Sequence, residues 1–370
     1  MAALSLRLRI SLALLVMVPV SLAAELQHWG DLAVFATAAA AIIPLAIWLS
    51  TATEEVALAL GPSLGGLLSA LFSNATELII ALTALRAGLV EIVKASITGT
   101  VMANLLLVLG LAMACGGIGR REQTFQPVLA RVNGSAMTLA LLAILLPSLS
   151  ALGSQPGQMG QMGGDGGGGV LPLGFSQFVA GVLLAAYALT LVFSLHTHRD
   201  LYAVAEEDHG DGAPGQKPAL LPWLAVLLAA TIGLAVESEL FVGVVETVTS
   251  GFGLTPLFTG VVLLPLLGGV SEYITAVTMA RKNKMDLAVS IALGSTLLAA
   301  MLVVPVLVLV GPLLGHPIDL DFQIVEVVAV ISAVAVSNLV SLDGRSDWLE
   351  GVLLLAAYLI LAAGFYYQAG

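Results

Sequence analysis

Two glutamates lie within long apolar stretches, and each is embedded in the same local pattern. Glu77 stands in SNATELIIALTALRAGLVEIVKASITGT, and Glu272 stands in GGVSEYITAVTMARKNKMDLAVSIALGS. The two segments align without a gap at an offset of 195 residues, which places Glu77 on Glu272 and the hydroxyl of Thr76 on that of Ser271. An ionisable side chain in hydrocarbon costs about 2.5–3.5 kcal/mol or more, so a carboxylate retained there is a functional candidate by default. One such carboxylate in each half of a repeated chain predicts a transporter whose site lies between the repeats.

The residues around each glutamate favour a local break in the helix. Asn74 precedes Glu77 by three residues, so the two side chains share a helical face. Upstream, Gly65-Gly66 permits close packing or an unwound turn. Before the second glutamate, Pro265 removes a backbone donor and Gly268-Gly269 weakens the helix. Broken helices of this kind expose carbonyl oxygens at the depth of a midplane ion site.

The chemistry of the paired carboxylates indicates a cation and protons. Calcium takes six to eight oxygen ligands; two glutamates supply up to four, and the Asn74 side chain and loosened backbone add more. Without a cation, two close carboxylates repel each other in low dielectric, so protons and the cation compete for the same oxygens. This competition couples their movements without a nucleotide or cofactor, and no GxxxxGK[ST] pattern occurs. The alternative is a pair of protonated glutamates that only bridge neighbouring helices.

Composition requires that a membrane surround these residues. The mean hydropathy is +1.03 and only 10% of residues are charged, which predicts an all-α polytopic membrane protein. The net charge of −11 argues against nucleic acid as a partner, and the single Cys115 excludes an intrachain disulfide. Apolar windows predict eleven spans: 9–24, 31–50, 62–85, 92–115, 128–152, 172–196, 219–243, 256–280, 286–311, 320–341 and 348–367.

The basic residues predict an orientation across the membrane. With the N-terminus in the cytoplasm, eleven of the 13 lysines and arginines fall on cytoplasmic segments, and only Arg86 and Lys94 fall outside. The C-terminus is then outside, and we expect a location in the cell's inner (plasma) membrane. Residues 1–24 have a second interpretation as a cleavable signal peptide, because two arginines and an apolar core precede SLAA.

Two polar segments divide the chain. Residues 153–169 are glycine-rich and predict a flexible outer loop. Residues 196–218 are acidic and cytoplasmic; they contain His196, His198 and His209, whose spacing is not a strong metal signature. The predicted organisation is an N-terminal helix at 1–30, a first repeat at 31–197, an acidic linker at 198–218 and a second repeat at 219–370.

At these residues the chain resembles the calcium/proton exchanger (CAX) family of the calcium/cation antiporter superfamily, from about residue 47 to the C-terminus. The resemblance rests on ATEEVALALGPSLGGLLSALFSNATELIIAL, KASITGTVMANLLLVLG, FSLHTHRDLY, the GGVSEY region, ALGS and DGRSDWLEGVLLLAAYLILA. It implies one extra N-terminal helix followed by two inverted five-helix repeats, exchange of Ca²⁺ for protons, and no enzymatic activity. Sequence leaves the oligomeric state open.

The resemblance assigns roles to particular residues. The family's first motif, GNATE or similar, matches Ser73 to Glu77, so Glu77 inherits the role of cation and proton ligand with Asn74 beside it. The second, GNAAEH, matches Gly268 to Tyr273; it retains Glu272 but replaces asparagine by Gly269 and histidine by Tyr273. Leu298 also stands where the family often has glutamine. The second half is thus poorer in ligand oxygens, which leaves Na⁺ or another monovalent cation/proton antiporter and a Na⁺/Ca²⁺ exchanger as alternatives.

Four further acids are candidates for the entry and exit pathway. Glu54 and Glu55 lie at the cytoplasmic end of the second predicted span, and Glu239 and Glu246 lie toward the outer end of the seventh. Ordinary solvation at the membrane interface is their alternative role. An intramembrane hydrolase is the alternative from another class of protein; against it, no predicted span contains a histidine except His196 at one end.

Overall fold

The computed structural model describes residues 6–153, 173–193 and 218–368, and this part of the chain is almost entirely helical. Two short helices, α1 (Leu6–Leu14) and α2 (Met17–Leu26), precede the main bundle. The bundle consists of α3 (Asp31–Leu60), α4 (Pro62–Phe72), α5 (Ala75–Arg86), α6 (Val90–Gly117), α7 (Pro127–Gly153), α8 (Leu173–Val192), α9 (Leu220–Gly251), α10 (Pro256–Gly268), α11 (Val270–Arg281), α12 (Met285–Leu314), α13 (Ile324–Ser341) and α14 (Trp348–Tyr367).

Among the described residues, seven helices are long and apolar enough to cross a membrane, or eight if the bent pair α10–α11 forms one span. A polytopic helical membrane fold is therefore confirmed, whereas the count of eleven spans stays a prediction. The count differs because the window 62–85 is divided into α4 and α5, and because the apolar helical stretches near the N-terminus and in α7 are short. The glycine-rich 153–169 segment, except its first residue, and the 196–218 linker, except its last, lie outside the described residues.

Three helix boundaries differ from the sequence prediction, two of them for one physical reason. Helix α3 continues to Leu60 and α9 to Gly251, whereas the hydropathy windows ended at residues 50 and 243. Charged side chains lower the hydropathy of these final turns, but they do not interrupt backbone hydrogen bonding. Conversely, α13 begins only at Ile324, where Gln323 and Glu326 form a reciprocal capping box.

The long helices α3 and α9 pack against each other along their length. Phe35 stacks on Phe241 with ring centroids 5.0 Å apart, and α2 also packs on α3. The Ser21 hydroxyl of α2 faces the carboxyl group of Glu237 on α9, and both side chains are fully buried. Neither carboxyl oxygen of Glu237 has a hydrogen-bond partner within the described ranges.

Helix α4 folds back on α3 through a tight turn. Gly61 has a φ of +84°, a conformation that favours glycine. A Cβ on Gly65 would collide with the backbone carbonyl of Ala57. Gly65 therefore serves close packing, and the helix break expected in this region lies instead at Ser73-Asn74, between α4 and α5.

Helix α6 is the centre of the bundle, with 83% of its apolar window buried. It contacts α10, α11, α13 and α14. π-Helical turns lie at Ala103–Val108 in α6, Thr259–Leu263 in α10 and Ala299–Val303 in α12. Such turns are rare and frequently lie at functional sites, and those of α6 and α12 occupy nearly matching places at the 195-residue offset.

A short antiparallel sheet, absent from the all-α prediction, joins the loops before α7 and α14. Strand β1 (Gln123–Thr124) pairs with β2 (Arg345–Ser346), with Gln123 opposite Ser346. The Gln123 side chain also donates to the carbonyl of Ala280 at 2.9 Å. Asp347 then caps α14 by accepting from the backbone N–H groups of Leu349 and Glu350, which supports a structural role for this acidic turn.

Candidate functional site

The first predicted site residues meet at the start of α5. Asn74 lies at the break between α4 and α5, with non-helical backbone angles, and its side chain is 1% exposed. Its Nδ2 donates to Oε2 of Glu77 at 2.6 Å. The predicted contact between these two residues is therefore present, and it orients the Glu77 carboxylate in the first turn of α5.

The second predicted carboxylate occupies the matching position in α11. Helices α10 and α11 meet at Gly269 with a bend of 58°, which is the predicted break before Glu272. Glu272 is 8% exposed, and its Oε2 accepts from the Ser271 hydroxyl at 2.9 Å. A carboxylate thus lies in the first turn of the helix after each break.

The two breaks pack directly against each other. A Cβ built on Gly268 would lie 2.8 Å from Cγ of Glu77, so only glycine leaves room for that side chain. The Glu77 and Glu272 carboxyl groups are close enough to interact electrostatically. Gly99 of α6 likewise lies against the Val261 carbonyl in the π-helical turn of α10. Through these contacts the α4–α5 break and the α10–α11 break lie side by side in the bundle.

Sequence reasoning did not select two polar residues that connect the halves. Ser295 Oγ donates to Asn74 Oδ1 at 3.0 Å, and Asn74 Nδ2 also approaches the Ser295 carbonyl at 3.2 Å. Asn104, from the π-helical turn of α6, donates to Ser295 Oγ at 3.1 Å. Two signals were available in the sequence: Ser295 matches Thr100 in the repeat, and Asn104 is an amide within an apolar run.

A small cavity opens beside Glu77. Its wall includes residues of α5, Ser96 and Thr100 on α6, and Pro265 on α10. Apolar side chains of α12, including Val303 and Leu307, complete it. Glu77 is therefore the carboxylate that faces this space.

The four flanking acids do not line this cavity. Glu54 and Glu55 lie in the final turns of α3, where Glu54 is exposed and Glu55 is half-buried. Glu239 and Glu246 lie on exposed faces of α9. The structure thus does not bring them to the central site, and their role in an ion pathway stays a prediction.

A second polar cluster joins α6 to the loop between α12 and α13. Lys94 Nζ forms an ion pair with Asp319 at 2.6 Å and donates to the carbonyl of Asp321. Burial raises the pKa of the Asp321 carboxyl group above its ordinary value; the Lys94 ammonium opposes this shift and the Asp319 carboxylate adds to it. Nearby, Glu326 accepts from the hydroxyl of Thr98 at 3.2 Å.

The oxygens at the centre define the chemistry available there. Within the described ranges, no group of three or more histidine, cysteine, aspartate or glutamate residues is arranged to hold a metal ion. Two carboxyl groups, an amide oxygen and hydroxyls lie there instead, and such hard oxygen atoms are of the kind that Ca²⁺ and Mg²⁺ prefer. Such a set suits reversible binding of a cation that must also leave. Broken helices beside buried carboxylates in a polytopic bundle are typical of secondary transporters.

Comparison with known proteins identifies the family. The family model described as sodium/calcium exchanger protein matches residues 31–196 and 222–367. The Ca²⁺/H⁺ antiporter of Aphanothece halophytica is 48% identical over 366 residues, which covers 96% of this chain and 95% of that protein. The Ca²⁺/H⁺ antiporter ChaA of Bacillus subtilis (strain 168) is 39% identical over 355 residues, covering 94% of this chain and 96% of that one.

Solved structures agree with the sequence comparisons. The structure of native YfkE superposes with a TM-score of 0.80 at 36% identity, covering 97% of this chain and 99% of that chain. The H⁺/Ca²⁺ exchanger CAX has a TM-score of 0.64 at 15% identity, covers 98% of this chain and 93% of that chain, and shows a shared fold. The chain belongs to the sodium/calcium exchanger protein family, and the resemblance to calcium/proton exchangers is confirmed.

Proposed function

We propose that this protein exchanges Ca²⁺ for protons across the membrane by alternating access, with Glu77 and Glu272 as shared ligands of both. The observation that carries the proposal is the contact between the two breaks, where Gly268 leaves space for Glu77 just before the helix whose first turn contains Glu272. The Ca²⁺/H⁺ antiporters named above support Ca²⁺ as the substrate over Na⁺.

The central residues have different roles in ion binding. Glu77 faces the cavity and supplies carboxylate oxygens to the cation, while the Asn74 amide group donates to Glu77 Oε2 and holds it in place. Glu272 contributes the second carboxylate from the other half. A divalent cation needs both carboxylates ionised, whereas two adjacent charges in a poorly hydrated site favour proton uptake once the cation leaves. Binding of either substrate therefore displaces the other.

The remaining assignments follow from this mechanism. No cofactor and no catalytic reaction are needed, because ion gradients drive the exchange. The protein lies in the plasma membrane with a cytoplasmic N-terminus, an external C-terminus and the 196–218 linker inside; the distribution of basic residues supports this. A cysteine placed at Gly210 in a Cys115→Ser background is expected to react with an impermeant label only from the cytoplasmic side. Labelling only from outside would overturn the orientation.

The function is tested by ion flux into proteoliposomes with an imposed pH gradient and a panel of Ca²⁺, Na⁺, K⁺ and other cations. We expect Ca²⁺ uptake against proton release. Glu77→Gln and Glu272→Gln should each abolish exchange, because each removes a carboxylate that both ions need. Glu122→Gln is the matched control, since that carboxylate is half exposed and lies in a loop. Near-normal exchange by either central variant would refute the shared site, and exchange of Na⁺ without Ca²⁺ would replace the assigned substrate.

A further inference from the structure

Tyr273 closes the second break with an unusual hydrogen bond. Its hydroxyl donates to the carbonyl of Pro265, eight residues earlier, at 2.7 Å. The same carbonyl accepts from the backbone N–H of Gly269 at 2.9 Å. A carbonyl oxygen has two lone pairs, so these two donors occupy both of them.

The phenol ring lies across the bend between α10 and α11. Helical side chains point back toward the N-terminus, which lets a residue after the break reach one before it. A Cβ built on Gly269 would lie 3.0 Å from the Tyr273 hydroxyl. The tyrosine therefore covers the point at which the helix bends by 58°.

The position of Pro265 gives this hydrogen bond a consequence for the ion. Pro265 and Glu77 line the same cavity. The backbone carbonyl of a residue beside such a cavity is, when it has a free lone pair, a ligand of the kind that Ca²⁺ accepts, and broken helices supply such carbonyls in other transporters. With both lone pairs occupied, the Pro265 carbonyl is not available to a cation.

The first break is closed in a related way by a different residue. The Ser69 carbonyl accepts from the backbone N–H of Ser73 at 2.9 Å and from its hydroxyl at 2.5 Å. At the 195-residue offset Ser73 matches Gly268, which has no hydroxyl. The carbonyl that matches Ser69 is that of Leu264, whereas the Tyr273 hydroxyl, from the far side of the second break, binds the next carbonyl, that of Pro265.

We propose that Tyr273 is a positioning residue that determines affinity: its hydroxyl keeps the Pro265 carbonyl out of the ligand set of the cation, so that Glu272 is the main ligand from the second half. This inference rests on the proposed exchange of Ca²⁺ at the central site. It assigns a consequence to the tyrosine that replaces the histidine of the related motif. Withholding one oxygen weakens Ca²⁺ binding and thereby speeds release.

The test compares Tyr273→Phe with Tyr358→Phe. The phenylalanine at 273 retains the ring over Gly269 and the Gly269 N–H bond, and it removes only the donor to Pro265. Tyr358 is a matched control, because its phenol lies near Tyr273, is 5% exposed and has no hydrogen-bond partner in the described part of the chain. Both variants are reconstituted as full-length protein, and KM and kcat for Ca²⁺ are measured separately.

We expect Tyr273→Phe to lower the KM for Ca²⁺ about fivefold, the change for one neutral hydrogen bond, and to lower kcat because release becomes slower. A variant that is merely destabilised would lose active protein without lowering KM. Tyr358→Phe should leave both constants unchanged. An unchanged or raised KM for Tyr273→Phe overturns the inference, as does an equal shift in Tyr358→Phe.

Two further results keep the outcome unambiguous. Should the phenylalanine variant not accumulate, Tyr273→Met also lacks a donor, and the same drop in KM is expected. Equilibrium Ca²⁺ binding in detergent provides a measurement that is independent of transport. If the unmodified protein exchanges no Ca²⁺, the proposed function is wrong. If it exchanges Ca²⁺ and the Tyr273→Phe variant binds Ca²⁺ with the same affinity as the unmodified protein, only the role of Tyr273 is wrong.

Discussion

The tightest contact at the centre, between Gly268 and Glu77, yields a quantitative prediction. Gly268→Ala removes no oxygen, yet its new Cβ would lie 2.8 Å from Glu77 Cγ, whereas ordinary contacts begin near 3.4 Å. The Glu77 side chain must therefore move by at least several tenths of an ångström, away from its 2.6 Å hydrogen bond with Asn74. A hydrogen bond to a charged group contributes about 1.5–3 kcal/mol, so we expect Ca²⁺ affinity to fall roughly 10- to 150-fold.

The assay is Ca²⁺ binding and exchange by the purified protein, compared with Gly294→Ala. Gly294 lies within α12 next to Ser295, and a Cβ there meets nothing within 4 Å. Alanine is favoured over glycine within a helix by roughly 0.5–1 kcal/mol, so this control should be at least as stable as the parent and bind normally. If Gly268→Ala binds Ca²⁺ with parental affinity while remaining folded, the carboxylate does not depend on this contact, and the geometry assigned to the site is wrong.

Three further outcomes are expected. Apparent Ca²⁺ affinity should weaken as pH falls, and saturating Ca²⁺ should restore the rate, because protons occupy the same carboxylates. If replacing the linker histidines with glutamine abolishes this pH dependence, the pH sensor is His196, His198 and His209 instead. Lys94→Met should lower the free energy of unfolding by about 1 kcal/mol, because it removes the partly buried ion pair with Asp319. Arg345→Met, which breaks an exposed pair with Glu122, should not lower it. Thermal melting compares the two variants, and equal melting temperatures would refute the assignment. Glu237→Met should leave the melting temperature unchanged or raise it, because both carboxyl oxygens are buried without a hydrogen-bond partner in the described part of the chain. A marked loss of stability would show that the carboxyl group makes a contact the structure lacks.

The sequence singled out the two glutamates that the structure places beside matching helix breaks, and their role as ion ligands stays a prediction. The glutamates were evident because charge in an apolar run is rare and because the repeat places both in the same context. The link between Asn74 and Glu77 followed from helical spacing. Ser295 and Asn104 were missed because their contacts depend on how α6 and α12 cross α5, which is a tertiary property that no spacing along the chain encodes.

The helix boundaries were harder to predict for a related reason. Hydropathy ends a window at a charged residue, but α3 continues past Glu54 and Glu55 because backbone hydrogen bonds do not depend on the polarity of the side chain. Gly65-Gly66 was compatible with close packing or with an unwound turn before Glu77, and Gly65 serves the first, in contact with α3. Glycine marks both bends and close approaches, and only the packed structure distinguishes the two.

The small β1–β2 sheet makes the molecule unequal at its two faces. Its strands, at 123–124 and 345–346, do not correspond to each other at the repeat offset, so the pairing has no symmetric copy. The segment that matches β1 on the opposite face includes Asp319, which is held by one lysine side chain rather than by a backbone ladder. Backbone hydrogen bonds between strands hold the two loops together regardless of side-chain charge, whereas an ion pair weakens as the salt concentration rises. Opening toward one side and opening toward the other are therefore mechanically different events, although the carboxylates they expose descend from a single repeated pattern.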